Sequence, residues 1–214
     1  MNKVNLARLE DLQNDFSIKI AASDASDESK AVAKYICDGI NDEEQFNLAL
    51  ADLPNGGCIE LSEGTFKISE NLTITTDDIL IKGQGMSTVI YDTIPRFISI
   101  SSNKNVCITH CRLTDIVINN YGNLELSYCK VFKISNYGSG TLKAFNISVS
   151  DFESAGNVQI SNSNITGYID NYTTSGTLLI SNNVINELYT TANIIPPTTA
   201  DIQKVNKVNT IEFM

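Results

Sequence analysis

Set beneath one another, the segments beginning at Asn105, Asn123, Thr141, Asn157 and Thr177 align their apolar positions, with successive starts 18, 18, 16 and 20 residues apart. One position after each start stand Val106, Leu124, Leu142, Val158 and Leu178; three after stand Ile108, Leu126, Ala144, Ile160 and Ile180. These two columns alternate as one strand face, with the period of two that marks a buried face. Eight positions after the starts come Leu113, Val131, Val149, Ile165 and Ile185, and eleven after come Ile116, Ile134, Phe152, Tyr168 and Leu188. A repeat this short has no room for a strand-helix-strand crossover, so each segment reads as one circuit of a coil. Parallel crossovers are overwhelmingly right-handed. The predicted fold is therefore all-β: a right-handed, single-stranded parallel β-helix whose rungs stack about 4.8 Å apart. His110, Tyr128, Asn146, Asn162 and Asn182 fall in one turn column, which fits asparagines bonding from rung to rung.

Upstream of the repeat the period changes. Asn41 is placed to cap a helix with Glu44 as reciprocal acid, and Phe46, Ala49, Leu50 and Leu53 recur on one helical face, so a capping α-helix is expected over 42–53. It ends at Pro54-Asn55-Gly56-Gly57, after which strand periodicity begins. Residues 16–20 alternate like a strand, residues 26–35 have helical composition with Ser26 as N-cap, and Leu6, Leu9 and Leu12 form a short apolar stripe. The chain thus divides into an attachment segment, 1–38, a β-helix with its cap, 39–190, and a tail, 191–214, for C-terminal capping or oligomerisation. In that tail Ile202, Val205 and Val208 suggest a helical apolar face and residues 210–213 a strand. Surplus apolar stripes at both ends favour a homo-oligomer, with a trimer expected.

Residues 37–46 (CDGINDEEQF), 56–68 (GGCIELSEGTFKI) and 79–90 (ILIKGQGMSTVI) carry a succession of DGxxD, helix, GG, strand, EGTF and a strand ending in GxG. Over about residues 37–92 this resembles the first rungs of the pectate-lyase-like β-helix superfamily. Later residues match as generic rungs. The short N-terminal segment resembles that of phage tail-spike or tail-fibre components and related prophage-encoded proteins, many of them homotrimeric. The resemblance implies a structural tail protein in a virion or tail-like particle, made in a bacterial cytoplasm, with other tail or baseplate proteins and a cell-surface polysaccharide as partners. The same fold carries polysaccharide lyases and glycoside hydrolases, which stand as the alternative.

Charge narrows the partners. Fifteen Lys and Arg against 25 Asp and Glu leave a net charge of -10, so a nucleic-acid phosphate chain would meet an already negative field. Residues 1–15 lack the continuous apolar stretch of a secretory leader, and no segment reaches transmembrane length, so neither a signal peptide nor membrane insertion is expected. Cys37, Cys58, Cys107, Cys111 and Cys129 form no CxxC pair and accompany a single histidine, His110, which points to buried thiols and no metal site. Cys111 and Cys129 share a column and are expected as a thiol ladder.

Catalytic candidates come from the outward columns. Ten positions after the starts, Asp115 and Asp151 flank Lys133, a set that offers two carboxyls two rungs, about 9.6 Å, apart. Glycoside hydrolysis uses carboxyl pairs about 5 to 9.5 Å apart, so this pair stands at the outer limit, and a solvated ion-pair ladder is the competing account. Arg112 and Lys130, stacked three positions earlier, offer a positive edge to an acidic sugar; Tyr121, Tyr137 and Tyr172 fall in connecting loops where rings stack on sugars. A lyase of the resembled family implies a calcium cluster and an arginine base, yet the only arginines are Arg8, Arg96 and Arg112. No cofactor is expected otherwise. His110 has no serine or cysteine partner at a defined spacing and reads as a turn residue.

Overall fold

A period of two buries alternate side chains of each short segment, and neighbouring segments satisfy one another's backbone groups. The computed structural model describes residues 16–138, 140–171, 177–190, 193–195 and 207–213. In chain order it contains β1 (Ser17–Ala21), α1 (Asp27–Ala31), β2 (Tyr35–Ile36), α2 (Glu43–Ala51), β3 (Gly57–Leu61), β4 (Gly64–Lys67), β5 (Leu72–Ile74), β6 (Ile79–Lys82) and β7 (Thr88–Ile100). The repeat supplies β8 (Asn105–Thr109), β9 (Arg112–Asn120), β10 (Asn123–Ser127), β11 (Lys130–Asn136), β12 (Thr141–Phe145), β13 (Ser148–Ser154), β14 (Asn157–Ser161), β15 (Asn164–Asn171), β16 (Thr177–Ser181) and β17 (Val184–Thr190). Beyond it lie β18 (Asn193–Ile195) and β19 (Lys207–Phe213).

These strands form two parallel sheets. The first runs β18-β16-β14-β12-β10-β8-β6-β3-β1-β2 and the second β19-β17-β15-β13-β11-β9-β7-β4, with β5 joined to β7. Successive strands of the repeat alternate between the sheets, so each rung gives one strand to each, and this is the right-handed parallel β-helix expected from the repeat. The strand starts at Asn105, Asn123, Thr141, Asn157 and Thr177 coincide with the repeat starts, and the first three apolar columns are buried throughout. Between Ile20 at the N-terminal end and Leu188 near the other, one continuous apolar core fills the coil. Each fully buried Ile or Leu contributes about 1.5–3 kcal/mol relative to exposure.

The fourth column needs correction. Ile134 pairs with Ile118 on one side and Phe152 on the other, and Phe152 pairs with Ile169, which pairs with Leu188. Irregularities in β9 and β15 push Ile116 and Tyr168 out of this column, although fixed offsets put them in it. Because side chains alternate, the single extra residue in β15 turns Tyr168 outward, whereas the two extra residues in β9 return Ile116 to the interior.

The N-terminal end also differs in detail. Ser26 caps α1 through its side chain, accepting the Ser29 N–H at 3.2 Å, but the helix stops at Ala31 and residues 35–36 pair with β1 instead. Residues 17–36, grouped by sequence with the attachment segment, supply two strands of the first sheet, and β1 pairs with β3. Helix α2 forms within the expected span and buries Phe46, Ala49 and Leu50, with Leu53 buried just past its end and Phe46 edge-on to Phe66 at 5.8 Å. Asn41 and Glu44 do not make the capping box. Asp42 is fully buried at the helix start, and its carboxylate accepts the Gly39 N–H at 2.9 Å and the Lys67 N–H at 2.7 Å. It fastens the loop before α2 to the second sheet, a stronger demand than capping, so Asp42 of the DGxxD motif is structural.

In the tail, β18 and β19 each extend a sheet by one strand, and Val208 lies in β19 rather than on a helix. The stripe of Leu6, Leu9 and Leu12, together with Arg8, Tyr172, Ile202 and Val205, lies outside the described residues. The corrected register makes a direct test. Ile169→Ala should lower stability by about 2–5 kcal/mol, whereas Tyr168→Ala should lower it by much less. Urea unfolding followed by circular dichroism separates the two; equal losses would restore Tyr168 to the core column.

Candidate functional site

The corner between the sheets is built from one residue per rung in the left-handed conformation: His110 (φ 56), Tyr128 (φ 53), Asn146 (φ 54), Asn162 (φ 52) and Asn182 (φ 54). This conformation brings Cβ against the following carbonyl, and asparagine tolerates it best among residues with a side chain. Three rungs use asparagine. Two place an aromatic ring there instead, at a backbone position that disfavours bulk. The N–H of each of the first four donates to a carbonyl of the next rung, at 3.1 to 3.2 Å, which holds the column in place. The Asn182 amide donates to Asn162 Oδ1 at 2.6 Å, the rung-to-rung bond that the column predicted.

The two rings stack on the outside of the corner, His110 on Tyr128 with centroids 4.8 Å apart and planes 23° apart. Phe145 meets Tyr128 edge-on at 5.8 Å, and Tyr128 and Phe145 keep 44% and 40% of their surface exposed. Thr109 Oγ1 lies 2.7 Å from His110 Nδ1 and fixes the ring. Along the column runs an open groove of about 690 Å³, lined by Met86, His110, Tyr128, Lys130, the three turn asparagines, Asn164 and Val184. Arg112 and Lys130 are both exposed and paired in register; Lys130 lines the groove toward its N-terminal end, and Arg112 adjoins it one rung before, just outside the lining. Neither makes an ion pair among the described residues.

The column one residue further on faces inward. Cys111 and Cys129 occupy it as free, buried thiols, each donating weakly to a carbonyl two residues back, Thr109 or Ser127, at 3.2 Å. Burial raises both, Cys129 to about 11 and Cys111 well above its ordinary value, which leaves neither a ready nucleophile.

On the outer face of the second sheet the carboxylates are arranged differently from the expected column. Lys133 pairs in register with Asp151 on one side but with Val117 on the other. Asp115 sits in the β9 irregularity with φ 56, out of line with Lys133, because the extra residues displace it. The ion-pair partner of Lys133 is Glu153, at 2.7 Å, and the Tyr168 hydroxyl donates to the same Glu153 oxygen at 2.8 Å. Asp170 stands beside Glu153 in register, its Oδ1 buried without a hydrogen-bond partner among the described residues. Burial raises Glu153, but hydrogen bonds from Lys133 and Tyr168 and the Lys133 charge outweigh it and hold this carboxyl below its ordinary range. Burial and then the Glu153 charge push Asp170 up. Fixed sequence offsets miss this pair because the extra residue in β15 decides which side chains face outward.

Tyr121 and Tyr137 meet at the opposite end of the second strands, with ring centroids 5.9 Å apart and both rings exposed, away from the groove. Among the described residues no three His, Cys, Asp or Glu side chains converge to hold a metal ion, and no helix is long and apolar enough to cross a membrane. No protein-family model, curated protein or solved structure matches the chain.

The pH dependence of stability follows from Asp170. A carboxyl raised in the fold contributes stability below its unfolded pKa, and that contribution is lost as pH rises through the folded value. Asp170→Asn should therefore melt higher than the parent at pH 7, with the two converging in acid as the parent's carboxyl takes up its proton. Thermal melts at several pH values decide this; a variant that melts lower at pH 7 would contradict the buried-charge account.

Proposed function

We propose that the chain is a structural tail protein of a phage or prophage, a spike- or fibre-type β-helix of the pectate-lyase-like kind, that binds a cell-surface glycan along the corner groove. The observation that carries the binding reading is Tyr128: a bulky side chain in a left-handed turn, where the three following rungs use asparagine, holds an exposed ring against His110 at the groove wall. Residues kept in disfavoured backbone conformations cluster at binding sites. Sugars present apolar faces that stack on such rings, and hydroxyls that the asparagine amides can bond. In this reading the protein works in a virion or tail-like particle, as a homotrimer joined to other tail or baseplate proteins.

A second reading rests on Glu153 and Asp170. Neighbouring carboxyls driven in opposite directions, one held ionised and one kept protonated to higher pH, are the division of roles that glycoside hydrolysis uses. Here Glu153 is the ionised member and Asp170 the acid. Release of reducing ends from a panel of acidic and neutral polysaccharides, lost in Glu153→Gln, would favour this reading; no release from any polymer would remove it.

The binding reading is tested with Tyr128→Asn, which keeps a residue suited to the left-handed turn and removes the ring. Binding to immobilised bacterial surface polysaccharides should fall about tenfold, or 1.4 kcal/mol, while the fold and melting temperature are retained. Light scattering of the parent should give three times the 23.4 kDa of one chain. Unchanged glycan binding in the variant would overturn the groove, and a monomer mass would overturn the trimer.

A further inference from the structure

We infer that the glycan held in this groove is a heteropolysaccharide with an isolated carboxylate-bearing sugar among neutral ones, its carboxylate set against Arg112 and Lys130. The inference rests on the reading of the groove as a glycan site and goes further by naming the chemistry of the ligand. It starts from where charge stands along the corner. In a chain of net charge -10, none of the described residues lining the groove is an aspartate or glutamate. Lys130 is the one Lys or Arg among the described residues lining the groove, and Arg112 stands in register with it one rung before. In this column the next three rungs carry Ser148, Asn164 and Val184, beside turn asparagines, before Lys207 follows on the rung after.

The groove therefore has two chemistries in series. Its N-terminal end combines the stacked rings of His110 and Tyr128 with two cations that make no ion pair among the described residues. Its remaining length offers amides, hydroxyls and the exposed Val184. A guanidinium and an ammonium one strand spacing apart, about 4.8 Å, can share one carboxylate, the guanidinium through two parallel hydrogen bonds. A sugar lying on the ring of Tyr128 brings its carboxylate to that edge. Over the next three rungs, each further negative sugar would meet no cation of this column and would add repulsion from an acidic protein. Screening confines the attraction of the two cations to about 8 Å at physiological salt, less than the spacing of the groove's two ends. A uniformly charged polymer gains at two rungs and loses along the next three. A polymer with one acid per repeat gains without the loss.

The experiment measures binding of the full chain by biolayer interferometry to gellan and depyruvylated xanthan, each with a single uronate per repeat, and to the carboxyl-reduced form of each. Polygalacturonate, dextran and an oligo-dT strand complete the panel. The heteropolymers should bind about tenfold more tightly than their carboxyl-reduced forms and more tightly than polygalacturonate. Arg112→Gln combined with Lys130→Gln should abolish that preference and keep the residual affinity that stacking supplies. Reduced polymers binding as tightly as the acids would overturn the acidic subsite and leave the groove as a neutral-glycan site. Tighter binding of polygalacturonate would replace the isolated acid by a polyanion, and tighter binding of oligo-dT would replace the glycan by single-stranded nucleic acid. Binding to none of the polymers would overturn the glycan reading together with this inference.

Discussion

Parallel pairing of each rung with the next, at one strand spacing, is the constraint on which everything else in this protein depends. It forces each inward position to stand on the same position of the rung below, so the core is a set of ladders rather than a set of contacts between distant segments. Apolar ladders satisfy this readily, because Ile, Leu and Val stack on one another without unsatisfied atoms. Polar ladders satisfy it only when donor and acceptor alternate. The buried Asn120 amide donates to Asn136, and the Asn136 amide in turn donates to Ser154. A glycine follows two residues after each of these three, and at Gly138 a Cβ would collide with the Tyr121 backbone of the rung beneath. The tight approach of successive turns and the buried ladder are thus one feature.

The same constraint explains why the corner can carry function. A coil of stacked rungs tolerates change on its outer surface wherever the backbone path is preserved, and the left-handed residue is the narrowest point of that path. Asparagine meets the conformational demand at three rungs. His110 and Tyr128 meet it less readily and recover part of the difference by stacking on one another. The result is an aromatic surface at one end of a groove whose other end is amide-lined, with Arg112 and Lys130 beside the rings.

Departures from the regular rung have the opposite effect: they change which side chains meet. The additional residues in β9 and β15 leave the apolar core continuous but redistribute the outer face. They separate Asp115 from Lys133 and bring Tyr168 out to Glu153, which also binds Lys133 and sits beside Asp170. A bulge is inexpensive on the outside of such a coil, since its unpaired groups reach solvent, and it is an efficient way to re-aim one side chain.

The sequence by itself determined the coil, because a period of two inside a repeat of nearly constant length leaves no other economical way to bury four apolar columns. The strand starts, the first three columns, the shared turn position of His110, Tyr128 and the asparagines, the cap helix with its Phe46 face, and the adjacency of Arg112 and Lys130 were all legible from spacing. Tertiary structure alone decided what depends on counting across irregular strands. Alternation reverses the facing of a side chain with each added residue, so the partners of Lys133, the outward turn of Tyr168 and the Glu153–Asp170 neighbourhood cannot be read from offsets that assume equal rungs. It also decided the role of Asp42, which local sequence marks as part of a helix start. Only the folded coil brings the Lys67 N–H within 2.7 Å of its carboxylate.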